Sequence, residues 1–351
     1  MKYTNVYLDA IGYEIPPVVV SSAELESQLS DLYEVLHLKE GQLEALTGIA
    51  ERRWWEKDYL LSDGATAAAK RALEASNVRA SEIDVLIYGG VCREYFEPAT
   101  ACRVASELGV GSDTVVFDVS NACLGVLNGI IDIANRIELG QIRAGMVVSC
   151  ETAREINEIM IERMRQDRSM EFFTKSLATL TGGSGAVAVL MTDGSFSPER
   201  RRKLLGGAIR TAPEFNDLCR WGIEAIKPLL GATQFRQFTA TDSAAVLNHG
   251  VELGLKTWQA FLNKIGWLRS QIDKVICHQV GSSHQRLILQ TLGIAQDKDF
   301  STFPYLGNMG TVSLPLTAAL AEDRDFLRPG DRVAFLGIGS GLNCLMLGLE
   351  W

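Results

Sequence analysis

The chain has 351 residues, 47% of them hydrophobic, and a formal net charge of −9. This length suits one large domain or two fused ones with a sizeable core, and the acidic balance argues against a general nucleic-acid-binding surface. No apolar run approaches the roughly 20 residues that a membrane-spanning helix needs, and the amino-terminal residues do not read as a signal peptide.

The cysteines and histidines restrict the function further. The chain has seven cysteines, none of them in a CxxC pair, and four histidines. An odd number of dispersed cysteines is typical of reduced thiols in the cytoplasm, and these residues offer no cluster of zinc ligands. We therefore expect a cytoplasmic protein without a bound metal.

The sequence contains two similar segments whose parts follow in the same order. SEIDVLIYGG matches SQIDKVICHQ, and further along each segment IRAGMVVSCETA matches LRPGDRVAFLGIGS. Each segment reads as strand, helix, strand, helix and strand, and its apolar runs are typical of strands that helices bury on both faces. The matches predict an internal duplication, and with it an α/β fold of two similar layers packed together.

The duplication sets the expected domain boundaries. We predict a first half at residues 1–195 and a second half at residues 196–351. A long insertion at residues 151–260 begins with a charged, mostly helical stretch and continues into GGSGAVAVLM, which reads as a strand entered through a glycine turn.

Glu97 is the first candidate functional residue along the chain. It lies in the loop CREYFEPAT, between a predicted strand and a predicted helix. A loop carboxylate is usually solvated, whereas in an apolar pocket its pKa would rise and it would be able to act as a base. The residues alone leave both interpretations open.

Cys123 is the strongest candidate in the first half. It follows the strand-like stretch FDVSNA and precedes a helix that is predicted by apolar residues at helical spacing, such as Leu127, Ile130 and Ala134. A free cysteine is usually buried and inert. At the first turn of a helix, however, backbone N–H groups and the helix dipole favour a thiolate. We therefore predict that Cys123 is a nucleophile.

Three further candidates occur in the second half. His278 ends a strand at the edge of an α/β sheet where ligands bind, and alternation turns the neighbouring Cys277 to the other face. Asn308 aligns with the Cys123 loop, which favours a catalytic role over that of a simple turn residue. Ser340 lies in the glycine-rich turn GIGSGLNC, which is weak evidence for a phosphate site and is also able to bring N–H groups to a thioester oxygen. Because equivalent loops of a duplicated fold should meet, we expect Cys123, His278 and Asn308 to converge.

The order of Cys123, HQ, GNMG and GIGSG resembles the thiolase superfamily, specifically its ketoacyl synthase III branch, over essentially the whole chain. Within that branch FDVSNACLG, CHQV and LGIGSGLNC are most similar to the OleA-like enzymes, which condense acyl-CoA molecules head to head in long-chain olefin biosynthesis. The resemblance implies a layered α-β-α-β-α sandwich, a homodimer and coenzyme A thioesters as substrates, without a metal or redox cofactor. Downstream pathway enzymes are further expected partners.

The resemblance also implies a role for each candidate residue. Cys123 would attack an acyl-CoA and retain the acyl group, and its N–H and that of Ser340 would bind the oxyanion. His278 and Asn308 would bind the carbonyl oxygen of a second acyl-CoA. Glu97 occupies the position of a glutamate that reaches into the neighbouring subunit's pocket, where it would remove the α-proton. The expected product is a 2-alkyl-3-ketoacid.

Two other functions stay open at this point. A decarboxylative ketoacyl synthase III would use the same cysteine, histidine and asparagine with a malonyl thioester, although it needs no base such as Glu97. A catalytically idle partner subunit is disfavoured by the intact set of residues. Near the expected coenzyme A mouth, Arg52, Arg53 and Trp54 either supply charge and stacking or serve the structure.

Overall fold

The computed structural model describes residues 1–197, 202–226 and 232–351. Within these ranges the strands are β1 (Tyr7–Glu14), β2 (Val18–Ser21), β3 (Glu51–Trp54), β4 (Val85–Gly89), β5 (Val115–Val119), β6 (Ala144–Glu151), β7 (Gly185–Thr192), β8 (Lys203–Thr211), β9 (Cys219–Ile226), β10 (Gln234–Thr241), β11 (Lys274–Cys277), β12 (Arg332–Gly339) and β13 (Asn343–Glu350). The helices are α1 (Ser22–Gln28), α2 (Ser30–Val35), α3 (Gln42–Thr47), α4 (Leu61–Glu74), α5 (Thr100–Leu108), α6 (Gly125–Glu138), α7 (Arg154–Gln166), α8 (Met170–Ser176), α9 (Ser243–Ile265), α10 (Ser282–Leu292), α11 (Phe303–Leu306) and α12 (Ser313–Asp323).

Nine strands form one sheet in the order β11-β12-β13-β8-β1-β7-β6-β4-β5. β7 is antiparallel to β1 and to β6, and β4 is parallel to β6 and to β5. The second half repeats this pattern, because β13 is antiparallel to β8 and β12, and β12 is parallel to β11. The pairing of Tyr7 with Lys203 joins the halves. This repeated order confirms the predicted α/β class and the duplication.

The second half departs from the predicted strand pattern at one position. Where the first half has β5, the second has only an isolated bridge between Val275 and Asp299. The Asp299 carboxylate accepts hydrogen bonds from the Cys277 backbone N–H at 3.2 Å and from Gln285 Nε2 at 2.6 Å. A side chain thus takes the place of strand pairing beside β11, and the prediction of a full middle strand in this half is wrong.

The helices and the strands of the two halves form five layers. α4 lies on β1, β6 and β7, and α9 lies on β8 and β13, so each half has an outer helical layer. α6 and α12 form the middle layer, between the strands of the first half and those of the second. One buried cluster joins Ile130 of α6 and Leu316 of α12 with Val147 of β6 and Phe335 of β12. Small residues permit the close packing of α4, since a side chain on Gly12 would place its Cβ 2.1 Å from the Ala68 carbonyl oxygen.

The predicted extent of the insertion, residues 151–260, is too long, because β7, β8 and α9 within it belong to the repeated core. Its charged amino-terminal part forms α7 and α8, and GGSGAVAVLM contains β7. The predicted boundary between residues 195 and 196 lies between β7 and β8, and stays a prediction. Among the described residues, no helix is both long enough and apolar enough to cross a bilayer.

Candidate active site

Cys123 lies in the turn between β5 and α6. The residue before it, Ala122, has a left-handed φ of 45°, a conformation that non-glycine residues adopt mainly in tight turns. Gly125, the first residue of α6, packs directly against Gly89 of β4. An added Cβ on Gly125 would lie only 3.1 Å from the Gly89 carbonyl carbon. The two glycines therefore hold the first turn of α6, and the Cys123 turn before it, close to the sheet.

Burial opposes ionisation of the Cys123 thiol. Burial, together with the nearby Cys219 and Glu151, raises the pKa of this thiol to about 12, and only the residue's own backbone N–H acts in the opposite direction. Enclosure of the sulfur thus acts against the thiolate that the helix terminus favours, and the role of Cys123 as a nucleophile stays a prediction. Desolvation of the anion outweighs the favourable N–H groups of the first turn. The residue as a whole stays partly accessible.

His278 follows β11 and donates its backbone N–H to Leu336 of β12 at 3.0 Å. Its side chain is buried. Burial, and to a smaller extent repulsion from His284, lowers the pKa of the imidazole to about 3. At neutral pH the ring is uncharged, so one of its nitrogens carries a hydrogen that it is able to donate. His284 lies near His278 in the first turn of α10, and burial lowers its pKa to about 4.

Asn308 lies in the turn between α11 and α12, and both of its backbone groups are fixed. Its N–H donates to Thr181 O at 2.9 Å, and its carbonyl oxygen accepts from Gly183 N at 2.9 Å. The Gly310 N–H donates to Asn308 Oδ1 at 3.1 Å. Because a backbone N–H only donates, this contact fixes the orientation of the carboxamide. Nδ2 is then the group that is able to donate to an oxygen outside the turn.

The turns of Cys123, Asn308 and Ser340 meet. Thr311, three residues after Asn308, lies beside α6, where its Oγ1 accepts the backbone N–H of Val126 at 2.8 Å. A Cβ added to Gly339 would lie 3.4 Å from the Cys123 backbone nitrogen.

One asparagine fastens the Ser340 turn to the Cys123 turn. Asn343 Nδ2 donates to Asn121 Oδ1 at 3.1 Å and to Ser340 O at 3.4 Å. His278 reaches the same region because β11 lies beside β12, the strand that ends in this turn. Equivalent edges of the two halves therefore bring the candidate residues of both halves into one region.

Glu97 lies outside this group. In the single chain it is exposed, next to Tyr95 and Phe96, whose side chains are 62% and 91% exposed. It is therefore not enclosed by an apolar pocket of its own chain. The root of the loop is fixed, since Glu151 accepts the N–H groups of Val91 at 2.9 Å and Cys92 at 3.1 Å.

Glu151 was missed in the sequence. It is 4% exposed, and burial raises the pKa of its carboxyl. A Cβ added to Gly310 would lie 3.5 Å from Glu151 Cγ, so this carboxyl contacts the Asn308 turn as well as the Glu97 loop. The signal was available, because Glu151 ends an apolar strand as His278 follows one.

The residues near the expected coenzyme A mouth do not form a phosphate site together. Arg52 is fully buried, and Trp54 is 5% exposed and donates its Nε1–H to Gly182 O at 3.1 Å. Arg53 is partly exposed and lies 3.7 Å from Glu51. The structural interpretation therefore holds for Arg52 and Trp54.

Possible metal ligands are also dispersed. Within residues 1–197, 202–226 and 232–351, no group of three or more histidine, cysteine, aspartate and glutamate residues is placed to hold a metal ion. The seven cysteines all lie in these ranges and are free thiols.

Two family models match the chain, each on one half. A model described as Thiolase, N-terminal domain, matches residues 46–187, and one described as 3-Oxoacyl-[acyl-carrier-protein (ACP)] synthase III C terminal matches residues 262–351. The predicted relation to the thiolase superfamily and its ketoacyl synthase III branch is thereby confirmed.

Relatives that align over their whole length show to which group within this superfamily the chain belongs. The chain is 55% identical to an acyl-CoA:acyl-CoA alkyltransferase of Shewanella oneidensis and 36% identical to one of Xanthomonas campestris, and in both comparisons the alignment covers 100% of each chain. A crystal structure of a cysteine-to-serine variant of X. campestris OleA, with bound lauric acid and lauroyl-CoA, superposes with a TM-score of 0.92 at 35% identity. That superposition covers 99% of this chain and 100% of the OleA chain. The protein therefore belongs to the OleA family of acyl-CoA:acyl-CoA alkyltransferases, with a thiolase fold.

Proposed function

We propose that this protein joins two fatty acyl-CoA molecules by a non-decarboxylative Claisen condensation and releases a 2-alkyl-3-ketoacid. One observation carries the proposal. The turn of Cys123 from the first half lies against the turns of Asn308 and Ser340 from the second, with His278 on the adjacent strand. This arrangement offers a nucleophile together with several neutral hydrogen-bond donors, which is what acyl transfer through a thioester requires.

In the first half-reaction, the sulfur of Cys123 attacks the carbonyl carbon of an acyl-CoA. The thioester bond to coenzyme A breaks, the acyl group stays on Cys123, and the thiol proton leaves with coenzyme A. The backbone N–H groups of Cys123 and Ser340 are the donors proposed for the tetrahedral oxyanion.

In the second half-reaction, the carbonyl oxygen of a second acyl-CoA is bound by His278 and by Asn308 Nδ2. Removal of its α-proton by Glu97 gives an enolate, which these donors stabilise. The α-carbon then attacks the acyl-cysteine, a carbon–carbon bond forms, and the Cys123 sulfur leaves and regains a proton. Water hydrolyses the remaining thioester to the 2-alkyl-3-ketoacid and coenzyme A. A neutral His278 suits this role, since a donor without net charge binds the enolate while keeping its own proton.

The base is proposed to act across a homodimer. Glu97 is exposed in the single chain and stands beside two exposed aromatic side chains, Tyr95 and Phe96. Exposed apolar groups around a functional side chain are typical of a contact surface. β5 is also an edge strand, with Val115 46% exposed, and a second copy would cover this edge.

The free thiols support the cytoplasm as the site of action.

Incubation of the purified protein with one long-chain acyl-CoA tests the function. We expect the 2-alkyl-3-ketoacid, or the ketone that forms from it by decarboxylation, without any further substrate, and an acyl adduct on Cys123 by mass spectrometry. Product that appears only after a malonyl thioester is added would support the decarboxylative alternative. No adduct with any acyl-CoA would support an idle subunit.

Glu97→Gln tests the base. This variant should still acylate Cys123 but should fail to condense, because the amide does not accept the α-proton. Glu107→Gln, at an exposed position on the neighbouring α5, is the matched control and should behave as the wild type. Normal condensation by Glu97→Gln would exclude Glu97 as the base.

Mixing two inactive variants tests whether the base acts across subunits. A dimer of one Cys123→Ala chain and one Glu97→Gln chain has one site with both groups only if Glu97 serves the partner's cysteine. After subunit exchange at equal concentrations, about a quarter of wild-type activity is expected. Activity of the mixture no higher than that of the separate variants would contradict action across the interface.

A further inference from the structure

Arg52 is a buried cation that the proposed mechanism does not use. Its side chain is 0% exposed, and its guanidinium donates to Val20 O at 3.2 Å, Ser22 Oγ at 3.0 Å and Leu180 O at 3.0 Å. Within the described part of the chain its Nε has no hydrogen-bond partner. Desolvation lowers its pKa to about 10. Its hydrogen-bond acceptors are neutral oxygen atoms, and two nearby glutamates offset only part of the cost of burying the charge.

The acceptor at Leu180 leads directly to the Asn308 turn. The next residue, Thr181, accepts the N–H of Asn308, and Gly183 donates to its carbonyl oxygen, both at 2.9 Å. Asn308 is therefore bound on both sides by residues 181–183, and Arg52 binds the residue immediately before them. A Cβ added to Gly307 would lie 3.0 Å from Arg52 Cβ, so the arginine side chain also lies directly beneath the turn.

The rest of β3 supports the same segment. Trp54 Nε1 donates to Gly182 O at 3.1 Å, and the Ser184 N–H donates to Arg53 O at 2.8 Å. Residues 180, 182 and 184 are thus each fastened to β3, while residues 181 and 183 are fastened to Asn308. Within this segment Arg52 supplies a charge-assisted hydrogen bond, which is roughly twice as strong as one between neutral groups.

We propose that Arg52 is a positioning residue for Asn308. By fixing residues 180–183, it sets the direction in which Asn308 Nδ2 meets the carbonyl oxygen of the second acyl-CoA. This inference rests on the proposed role of Asn308. It implies that Arg52 affects the condensation step and leaves the acylation of Cys123 nearly unchanged. A small displacement of a catalytic group is sufficient to slow a step by about 10²-fold.

The experiment measures the two half-reactions separately in full-length Arg52→Met. Acylation is followed by mass spectrometry in a single turnover, and condensation by product formation at saturating acyl-CoA. We expect condensation to fall by at least about 10-fold in kcat, with KM and acylation within about twofold. Arg79→Met, which removes an arginine exposed at the surface, is the control and should match the wild type. Arg52→Lys keeps the charge without the planar fork and is measured in the same way if Arg52→Met does not fold.

A double-mutant cycle with Asn308→Ala distinguishes this inference from the function it rests on. If Arg52 acts through Asn308, the double variant should condense no more slowly than Asn308→Ala alone. Should Asn308→Ala be impaired while the two losses multiply, the positioning role is overturned. Should Asn308→Ala condense like the wild type, the proposed role of Asn308 fails instead.

Discussion

The Cys123 turn and the Asn308 turn occupy equivalent positions in the two halves, but their functional side chains are held differently. Close contact between Gly125 and Gly89 and the hydrogen bond from Asn343 to Asn121 fix the backbone of the first, and among the described residues no other residue donates a hydrogen bond to the Cys123 sulfur. The second is fixed by hydrogen bonds, two on the backbone of Asn308 and one on its side-chain oxygen.

This difference suits the chemistry that is proposed for each turn. A nucleophile must move toward a carbonyl carbon and later leave it, so it needs a fixed backbone and a mobile side chain. A hydrogen-bond donor to an enolate works best when its direction is set before the charge develops. The duplicated topology thus supplies two equivalent turns, and local packing suits one to the proposed attack and the other to the proposed stabilisation of charge.

Removal of the sulfur should have the largest effect. Cys123→Ala is expected to lose the acyl adduct and to lower turnover by about 10⁴-fold or more, since no covalent intermediate forms. Product quantification and mass spectrometry measure this. Cys102→Ala, at an exposed position, is the matched control, and an active Cys123→Ala variant would remove the distinction between the two turns.

Loss of the carboxamide donor should affect one half-reaction only. Asn308→Asp keeps an acceptor for the Gly310 N–H but has no Nδ2–H, so condensation should fall by about 10²–10³-fold. Acylation of Cys123 should change far less, because its oxyanion is assigned to other donors. Rapid-quench measurement of both steps is suitable, with Asn263→Ala on the exposed face of α9 as control. Equal losses in both steps would show that the turns do not divide the chemistry as proposed.

Substitution of alanine for a supporting glycine tests how well each turn tolerates an added methyl group. A Cβ on Gly183 would lie 1.9 Å from Leu306 O, whereas one on Gly125 would lie 3.1 Å from the Gly89 carbonyl carbon. Overpacking against backbone should lower the free energy of unfolding by about 3 kcal/mol for Gly183→Ala and by about 1 kcal/mol for Gly125→Ala. Denaturant unfolding measures both, and Gly111→Ala, where an added Cβ has no contact closer than 3.6 Å, is the control. The reverse order would mean that the Asn308 turn adapts more easily than the Cys123 turn.

The smallest expected effect is in the pH dependence of stability. Burial lowers the pKa of His278 from its ordinary value of 6.5 to about 3. At a pH between these two values, the unfolded chain carries a proton on this imidazole that the folded chain does not. Stability should therefore fall as pH falls below about 6.5, by about 1 kcal/mol between pH 7 and pH 5.5 from this residue. Cys123 does not titrate in this range, since burial raises its pKa to about 12.

Denaturant midpoints at the two pH values in the wild type, His278→Asn and Cys123→Ala test this asymmetry. The pH slope should become smaller in His278→Asn and stay unchanged in Cys123→Ala. The buried Glu151 and Asp299 have raised pKa values, so they act in the opposite direction and are common to all three proteins. An unchanged slope in His278→Asn would contradict a neutral buried imidazole.

Much of the fold and of the candidate site follows from local sequence patterns. Apolar runs bounded by glycine or charged residues define buried strands such as β4 and β6, and the repeated order of matches defines the duplication. The place of Cys123 at the start of α6 and of His278 at the end of β11 also follows, since both depend on periodicity within a few residues.

Other features depend on contacts between distant segments and were decided only by the tertiary structure. The raised pKa of Cys123 is one, because other segments enclose the sulfur and oppose its ionisation. The burial of Arg52 beneath the Asn308 turn is another, since its acceptors come from residues 20, 22 and 180. Local sequence sets which face of an element is apolar, whereas desolvation and hydrogen-bond partners are set by whichever segments fold against that face.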